Sequence, residues 1–130
     1  MWTEILFFDE ALPAAGDWPE GIRGAAGAWA EFRGLVRGHE DGRAITALNY
    51  EIFEPLARRR VEAHFTELGE RHGLLAARFW HRHGVVPVGE AAVYAAVAAP
   101  HRREAFAALG ELMDRLKADV PIWKIAALPE

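Results

Sequence analysis

Two lysines, Lys117 and Lys124, stand seven positions apart in Met113-Asp-Arg-Leu-Lys117-Ala-Asp-Val-Pro-Ile-Trp-Lys124. Upstream lies Pro100-His101-Arg102, and earlier still Phe32-Arg-Gly-Leu-Val-Arg37-Gly-His39. An amine can attack, carry a proton or hold a fixed charge, whereas a guanidinium or imidazolium binds phosphate oxygens. Two amines, a guanidinium and an imidazole around one anionic ligand would make a phosphate site able to do amine chemistry. Each residue also has a plain structural use. Lys117 complements the negative end of a helix dipole, Lys124 can lay its stem along Trp123, and an arginine before a turn, as Arg37 is, is commonly solvated. His101 and Arg102 fit a structural use less well, because a cationic pair opposes the positive dipole end of the helix that it opens.

The elements that must position these groups follow from spacing. Phe106, Leu109, Met113 and Leu116 recur at steps of three and four, which predicts a helix over 105–117 with Met113 and Lys117 on neighbouring turns. Pro121 stops that helix, so Lys124 follows a bend and can turn back toward Lys117. At 1.5 Å per residue, His101 and Lys117 are roughly 24 Å apart along a continuous helix. They cannot then meet one small ligand from the same chain. Either the helix breaks, with Gly110 as the candidate, or two copies of the chain share the site.

A second helix is predicted over Glu54 to His72, with Pro55 in its first turn, Gly73 as C-cap, and Ala57, Val61, Phe65 and Leu68 facing inward. Strands are predicted over 2–8, 25–36, 44–53, 74–83 and 91–99. The turn at Asp41-Gly42 should make a hairpin of the second and third strands. A bulge at Gly34 would bring Phe32 and Arg37 together. Pro87 and Gly89 should turn the last two strands, the second of which has both faces buried. The fold class is α+β, a mainly antiparallel sheet with two long helices, in one domain over residues 1–130 with a C-terminal tail.

Bulk properties narrow the chemistry. The 130 residues are 52% apolar and 26% charged, an ordinary globular balance, and the net charge of −4 argues against general nucleic-acid binding. There is no cysteine, which excludes disulfides, thiolate metal sites and a cysteine nucleophile. Any sulfur handled here must arrive on another molecule. His81 and His83 are spaced to share a strand face, but no helical H-E-x-x-H accompanies them, and neither a metal nor a cofactor is expected. Glycine-rich nucleotide loops and a G-x-S-x-G nucleophile are lacking. Arg58-Arg59-Arg60, with Glu54 and Glu62 nearby, is expected to be a solvated, ion-paired surface. No apolar run reaches membrane-spanning length and the start shows no signal core, so a cytoplasmic protein without membrane contact is expected.

As an ordered set, the segments from about Ala25 to Lys124 resemble the large, catalytic subunit of molybdopterin synthase. The resemblance rests on Phe32-Arg-Gly-Leu-Val-Arg37-Gly-His39, Asp41-Gly-Arg-Ala-Ile-Thr-Ala-Leu48 with Tyr50-Glu51, and His81-Arg82-His83-Gly84. It continues through Val88-Gly-Glu90, Pro100-His101-Arg102 with Ala105-Phe106, and Met113-Asp-Arg-Leu-Lys117 with Pro121-Ile-Trp-Lys124. It implies the hammerhead-like fold of that family and a sulfurtransferase that converts cyclic pyranopterin monophosphate to molybdopterin. The sulfur would come from the C-terminal Gly-Gly thiocarboxylate of a ubiquitin-like small subunit, bound to a central homodimer of large subunits in a heterotetramer. Lys117 and Lys124 would be the catalytic amines. Arg37, His101 and Arg102 would hold the pterin and its phosphate, and Phe32 and Met113 would line the pocket. Three departures stand out: Ala126 where the family often has an acidic residue, Glu54-Pro55-Leu56 in place of Pro-Gly-Met, and an end at Glu130. They make the alternative a catalytically weakened homologue acting as a dimeric pterin-binding partner.

Overall fold

A computed structural model describes all 130 residues. The chain runs β1 (Trp2–Phe8), β2 (Ala28–Leu35), β3 (His39–Glu40), β4 (Arg43–Ile52), α1 (Glu54–His72), β5 (Ala76–Arg82), β6 (Gly84–Pro87), β7 (Ala91–Ala99), α2 (Arg102–Asp119) and β8 (Ile122–Pro129). The first sheet has the order β1-β5-β7-β2, parallel between β1 and β5 and antiparallel elsewhere. In the second sheet β4 pairs antiparallel with β3, β6 and β8. The architecture is α+β with mainly antiparallel sheets.

The expected hairpin of the second and third strands is reduced to its tip. β7 is buried on both faces and takes a neighbour on each edge, β5 and β2, so β2 is drawn away from β4 into the first sheet. Only the two residues of β3 pair back onto β4, across a turn where Asp41 (φ 52°) and Gly42 (φ 78°) both hold the left-handed geometry a tight reversal requires. The connection between β5 and β7 is likewise more than a turn, because β6 leaves to pair with β4. The tail forms a strand: past Pro121 the run Ile-Trp-Lys-Ile is β-prone, and β8 lies along nearly the whole of β4.

α1 forms as spacing predicts, with Pro in its first turn, Gly73 as a left-handed C-cap and Ala57, Val61, Phe65 and Leu68 buried. α2 is rotated from its predicted face. Its buried residues are Ala105, Ala108, Leu112 and Leu116, while Phe106 is 68% exposed. Two alanines let the helix approach the sheet closely, which places the larger Phe106 outside. α2 is also continuous through Gly110.

One core lies between the helices and the first sheet, around Phe65, Phe79, Val97 and Leu112. A second lies on the other side of that sheet, around Trp18, Trp80 and Tyr94. There the buried guanidinium of Arg78 bonds Glu4 at 2.8 Å and the Gly16 carbonyl at 3.1 Å, with the rings of Trp2, Trp18 and Trp80 at 5.1, 4.8 and 5.3 Å. A buried charge needs such pairing, and this one ties the 9–27 segment to the sheet. The helix pair is laced by Arg71 and His72 to Glu111, and by Arg60 and His64 to Asp119. Arg60 therefore pairs across to α2 rather than with Glu54 or Glu62.

Candidate functional site

A cavity of about 470 Å³ opens where the end of the first sheet, the last turns of α2 and the β4–β8 pair converge. Its floor is set by strand register. Phe32, Ala95 and Phe79 lie opposite one another across β2, β7 and β5, and Gly34, Val93 and His81 form the next row. The register shifts between Gly34 and Leu35, so the bulge falls where the glycine allowed it. A Cβ on Gly34 would lie 2.5 Å from Val93 Cγ1 and 3.2 Å from the Phe32 ring. The glycine is what lets these two side chains close over the floor.

Met113, Asp114, Leu116 and Lys117 of α2 form one wall, and Tyr50, Ile122 and Lys124 form another. Lys124 reaches the cavity because β8 pairs with β4, which sets it directly opposite Tyr50. Four of the residues singled out in the sequence, Phe32, Met113, Lys117 and Lys124, therefore line one space. Arg37 does not. It is exposed in the connection after β2 and absent from the lining. His101 and Arg102 open α2 at its far end, where they line a separate depression with Arg103, Glu104 and Phe106. Since α2 has no break, the first of the two geometric alternatives is overturned, and a ligand touching both lysines is roughly 24 Å from His101 of the same chain.

Spacing did not single out Glu40 or Tyr50, and it raised His81 only as a metal candidate beside His83. Glu40 Oε2 lies 3.3 Å from Lys124 Nζ. It comes from β3, and the Asp41-Gly42 turn presents it beside β8. Ala126, two residues beyond Lys124, lines the same shallow recess as Glu40 and Lys124. Glu40 thus brings a carboxylate to the lysine from another strand. Tyr50 is partly buried, and burial followed by the charge of Glu40 raises its hydroxyl above the usual pKa.

His81 is 6% exposed, and its burial holds the imidazole down to a pKa of about 4. Its Nδ1 lies 2.9 Å from the carbonyl of Arg82. A carbonyl only accepts, so Nδ1 carries the proton and Nε2 is left as an acceptor. Tyr50 meets the ring edge-on at 5.1 Å. The Arg82 side chain bonds Glu90 at 2.7 Å, which joins the His-Arg-His-Gly and Val-Gly-Glu segments and fixes the corner from which His81 projects. His83 faces elsewhere, 3.6 Å from Asp9. The sequence signal for His81 was its alternation with Phe79; the signal for Tyr50 was the Tyr50-Glu51 segment. Neither told which wall of which cavity they would form.

The site therefore combines two primary amines, one with a carboxylate partner, with an apolar floor and a neutral imidazole. Such a set can hold an anion and supply a nucleophile or a proton carrier beside a flat apolar group.

Comparison with known proteins bears on this arrangement. Residues 12–119 match the family model described as MoaE protein. The chain is 44% identical over 100 residues to the molybdopterin synthase catalytic subunit of Oryza sativa subsp. indica, a stretch covering 77% of this chain and 52% of that relative. The chain thus spans about half the length of this curated relative. The X-ray structure of molybdopterin synthase from Staphylococcus aureus superposes with a TM-score of 0.77 at 27% identity, covering 94% of this chain and 93% of that one. A complex of subunits 1 and 2 of molybdopterin-converting factor from Helicobacter pylori gives a TM-score of 0.73 at 21% identity, covering 96% and 88%, a likeness of fold.

Proposed function

The chain belongs to the MoaE family, and from that premise we propose that it is the catalytic subunit of a molybdopterin synthase, adding the two dithiolene sulfurs to cyclic pyranopterin monophosphate. The observation that carries this is the meeting of Lys117 from α2 and Lys124 from β8 in one cavity floored by Phe32 and roofed by Met113. The sulfur arrives as the C-terminal Gly-Gly thiocarboxylate of a ubiquitin-like small subunit, which suits a chain with no cysteine. A thiocarboxylate carries one sulfur, so each product consumes two loaded carriers. The two-subunit complex from Helicobacter pylori supports such a pairing.

Two copies of the chain form the core. His101 and Arg102 of one copy reach toward the cavity of the other and, with Arg37, hold the pterin phosphate through charge-assisted hydrogen bonds. Lys117 and Lys124 are the amines at the reacting atoms, as nucleophile or proton carrier. The rival reading is a binding module without turnover, motivated by Ala126. It loses its main support because Glu40 stands 3.3 Å from Lys124 and supplies a carboxylate by another route.

The test is turnover of cyclic pyranopterin monophosphate with a thiocarboxylated small subunit. Dithiolene formation that stops in Lys117→Ala and is not restored in Lys117→Arg supports the assignment. Binding of both substrate and carrier without any product in the wild type would leave the module reading in its place.

A further inference from the structure

We propose that His81 and Tyr50 form a neutral hydrogen-bonding edge that selects and orients the heterocycle of the ligand, with His81 Nε2 accepting from a ring N–H and the Tyr50 hydroxyl donating. The inference rests on the proposed function only for the choice of a pterin as that heterocycle.

Both side chains line the cavity, and both come from strands rather than from α2. The His81 ring is fixed from several directions. Its Nδ1 proton is held by the Arg82 carbonyl at 2.9 Å, Tyr50 packs edge-on at 5.1 Å, and the Phe79 ring lies at 6.1 Å. No protein group bonds Nε2 or the Tyr50 hydroxyl. The side-chain polar atoms that are both sealed and unpaired belong to Trp18, Arg82 and Glu104, so Nε2 and the hydroxyl open onto the cavity.

A structural role explains this poorly. No protein group meets Nε2 where it faces the cavity, whereas phenylalanine at the same place would fill the wall without needing any partner. A buried polar group with a fixed tautomer and a vacant acceptor is instead a pre-organised half of a hydrogen bond. Its depressed pKa keeps it an acceptor throughout the neutral range, and the raised pKa of Tyr50 keeps that hydroxyl a donor. The cavity also carries Lys117 from α2 and Lys124 beside Tyr50, which bind anions without distinguishing them. The two kinds of group divide the work: cations capture the phosphate and the thiocarboxylate, and the neutral edge reads the ring.

Calorimetry with two probes, cyclic pyranopterin monophosphate and inorganic phosphate, tests this. His81→Phe and Tyr50→Phe should each weaken pyranopterin binding about 3- to 10-fold, one neutral hydrogen bond's worth, and leave phosphate binding unchanged. His81→Gln, which returns an acceptor near the position of Nε2, should recover part of the loss. Unchanged pyranopterin affinity in both phenylalanine variants overturns the proposal, as does an equal loss for both probes. Should His81→Phe fail to fold, Tyr50→Phe and His81→Gln decide alone. A wild-type chain that binds a phosphate-free pterin but not the pyranopterin breaks the proposed function and leaves this edge standing; one that binds neither overturns both.

Discussion

At its C-terminal end α2 presents Met113 and Lys117 to a cavity whose remaining walls come from five strands of the same chain. At its N-terminal end, His101 is 81% and Phe106 68% exposed, and the depression there is lined only by α2 itself. One end is finished by the chain's own fold; the other is a cationic and aromatic surface with nothing of its own chain to face. The difference teaches what a single continuous helix can do in a shared site. It can give an amine to one pocket and leave a cationic end for another, because its two ends are too far apart to serve the same one.

The largest effect should come from the finished end. Lys117→Ala is expected to lower turnover about 10²- to 10⁴-fold, the range for losing a positioned proton-transfer or nucleophilic group, with dimerisation and carrier binding intact. Lys117→Arg keeps the charge but cannot readily attack or deprotonate and should not rescue. Near-normal single-turnover rates in the arginine variant would reduce Lys117 to an electrostatic anchor.

Acidification should also act at the finished end. The folded pKa of His81 is about 4 against an ordinary 6.5, so between those values the folded chain binds fewer protons than the unfolded one. Stability is then full above about pH 6.5 and falls as pH drops toward 4, by about 3 kcal/mol. Denaturant melts of His81→Phe should show a flatter profile there; an equally steep one would place the titration elsewhere.

At the open end, Arg102→Ala should weaken pyranopterin binding by about 1.5–3 kcal/mol, the scale of a charge-assisted hydrogen bond, whereas Arg59→Ala, on the exposed face of α1, should change it little. The same variant sharpens the contrast between the ends. Mixing Arg102→Ala with Lys117→Ala chains should regain activity, because a hybrid dimer carries one site with both residues intact. Absence of any regain after subunit exchange would mean that each chain uses its own two ends separately.

The smallest effect on stability belongs to Phe106→Ala. An exposed side chain contributes within about 0.5 kcal/mol to folding, so the melting temperature should hardly move while sedimentation shows a weaker dimer. A large drop in melting temperature with unchanged assembly would show that Phe106 packs within its own chain.

Much of this was written in local pattern. Pro55 and Gly73 bracketed α1, Asp41-Gly42 marked a left-handed turn, and Gly34 marked a bulge, because each depends on backbone conformations that few residues adopt. The stripe of α2 was misplaced by one position, since Phe106 carried more apolar weight than Ala105 and Ala108. Close packing onto the sheet favoured the small residues instead. Strand pairing was harder. The exchange of β2 from β4 to β7, and the conversion of the tail into β8, are long-range choices that alternation does not encode.

For the site the division is similar. Residue types and spacing by themselves determined which groups could do chemistry, that Lys124 could turn back toward Lys117, and that His101 lay too far away to join them unless the helix broke at Gly110. Those conclusions follow from helix rise and the effect of a proline, which hold wherever the segment sits. Only the tertiary structure decided that Glu40 meets Lys124, that Tyr50 and His81 form a wall of the cavity, and that Arg37 stays outside it. Those facts depend on which strand edges pair and in what register, and that is settled by burying both faces of β7 rather than by any local sequence.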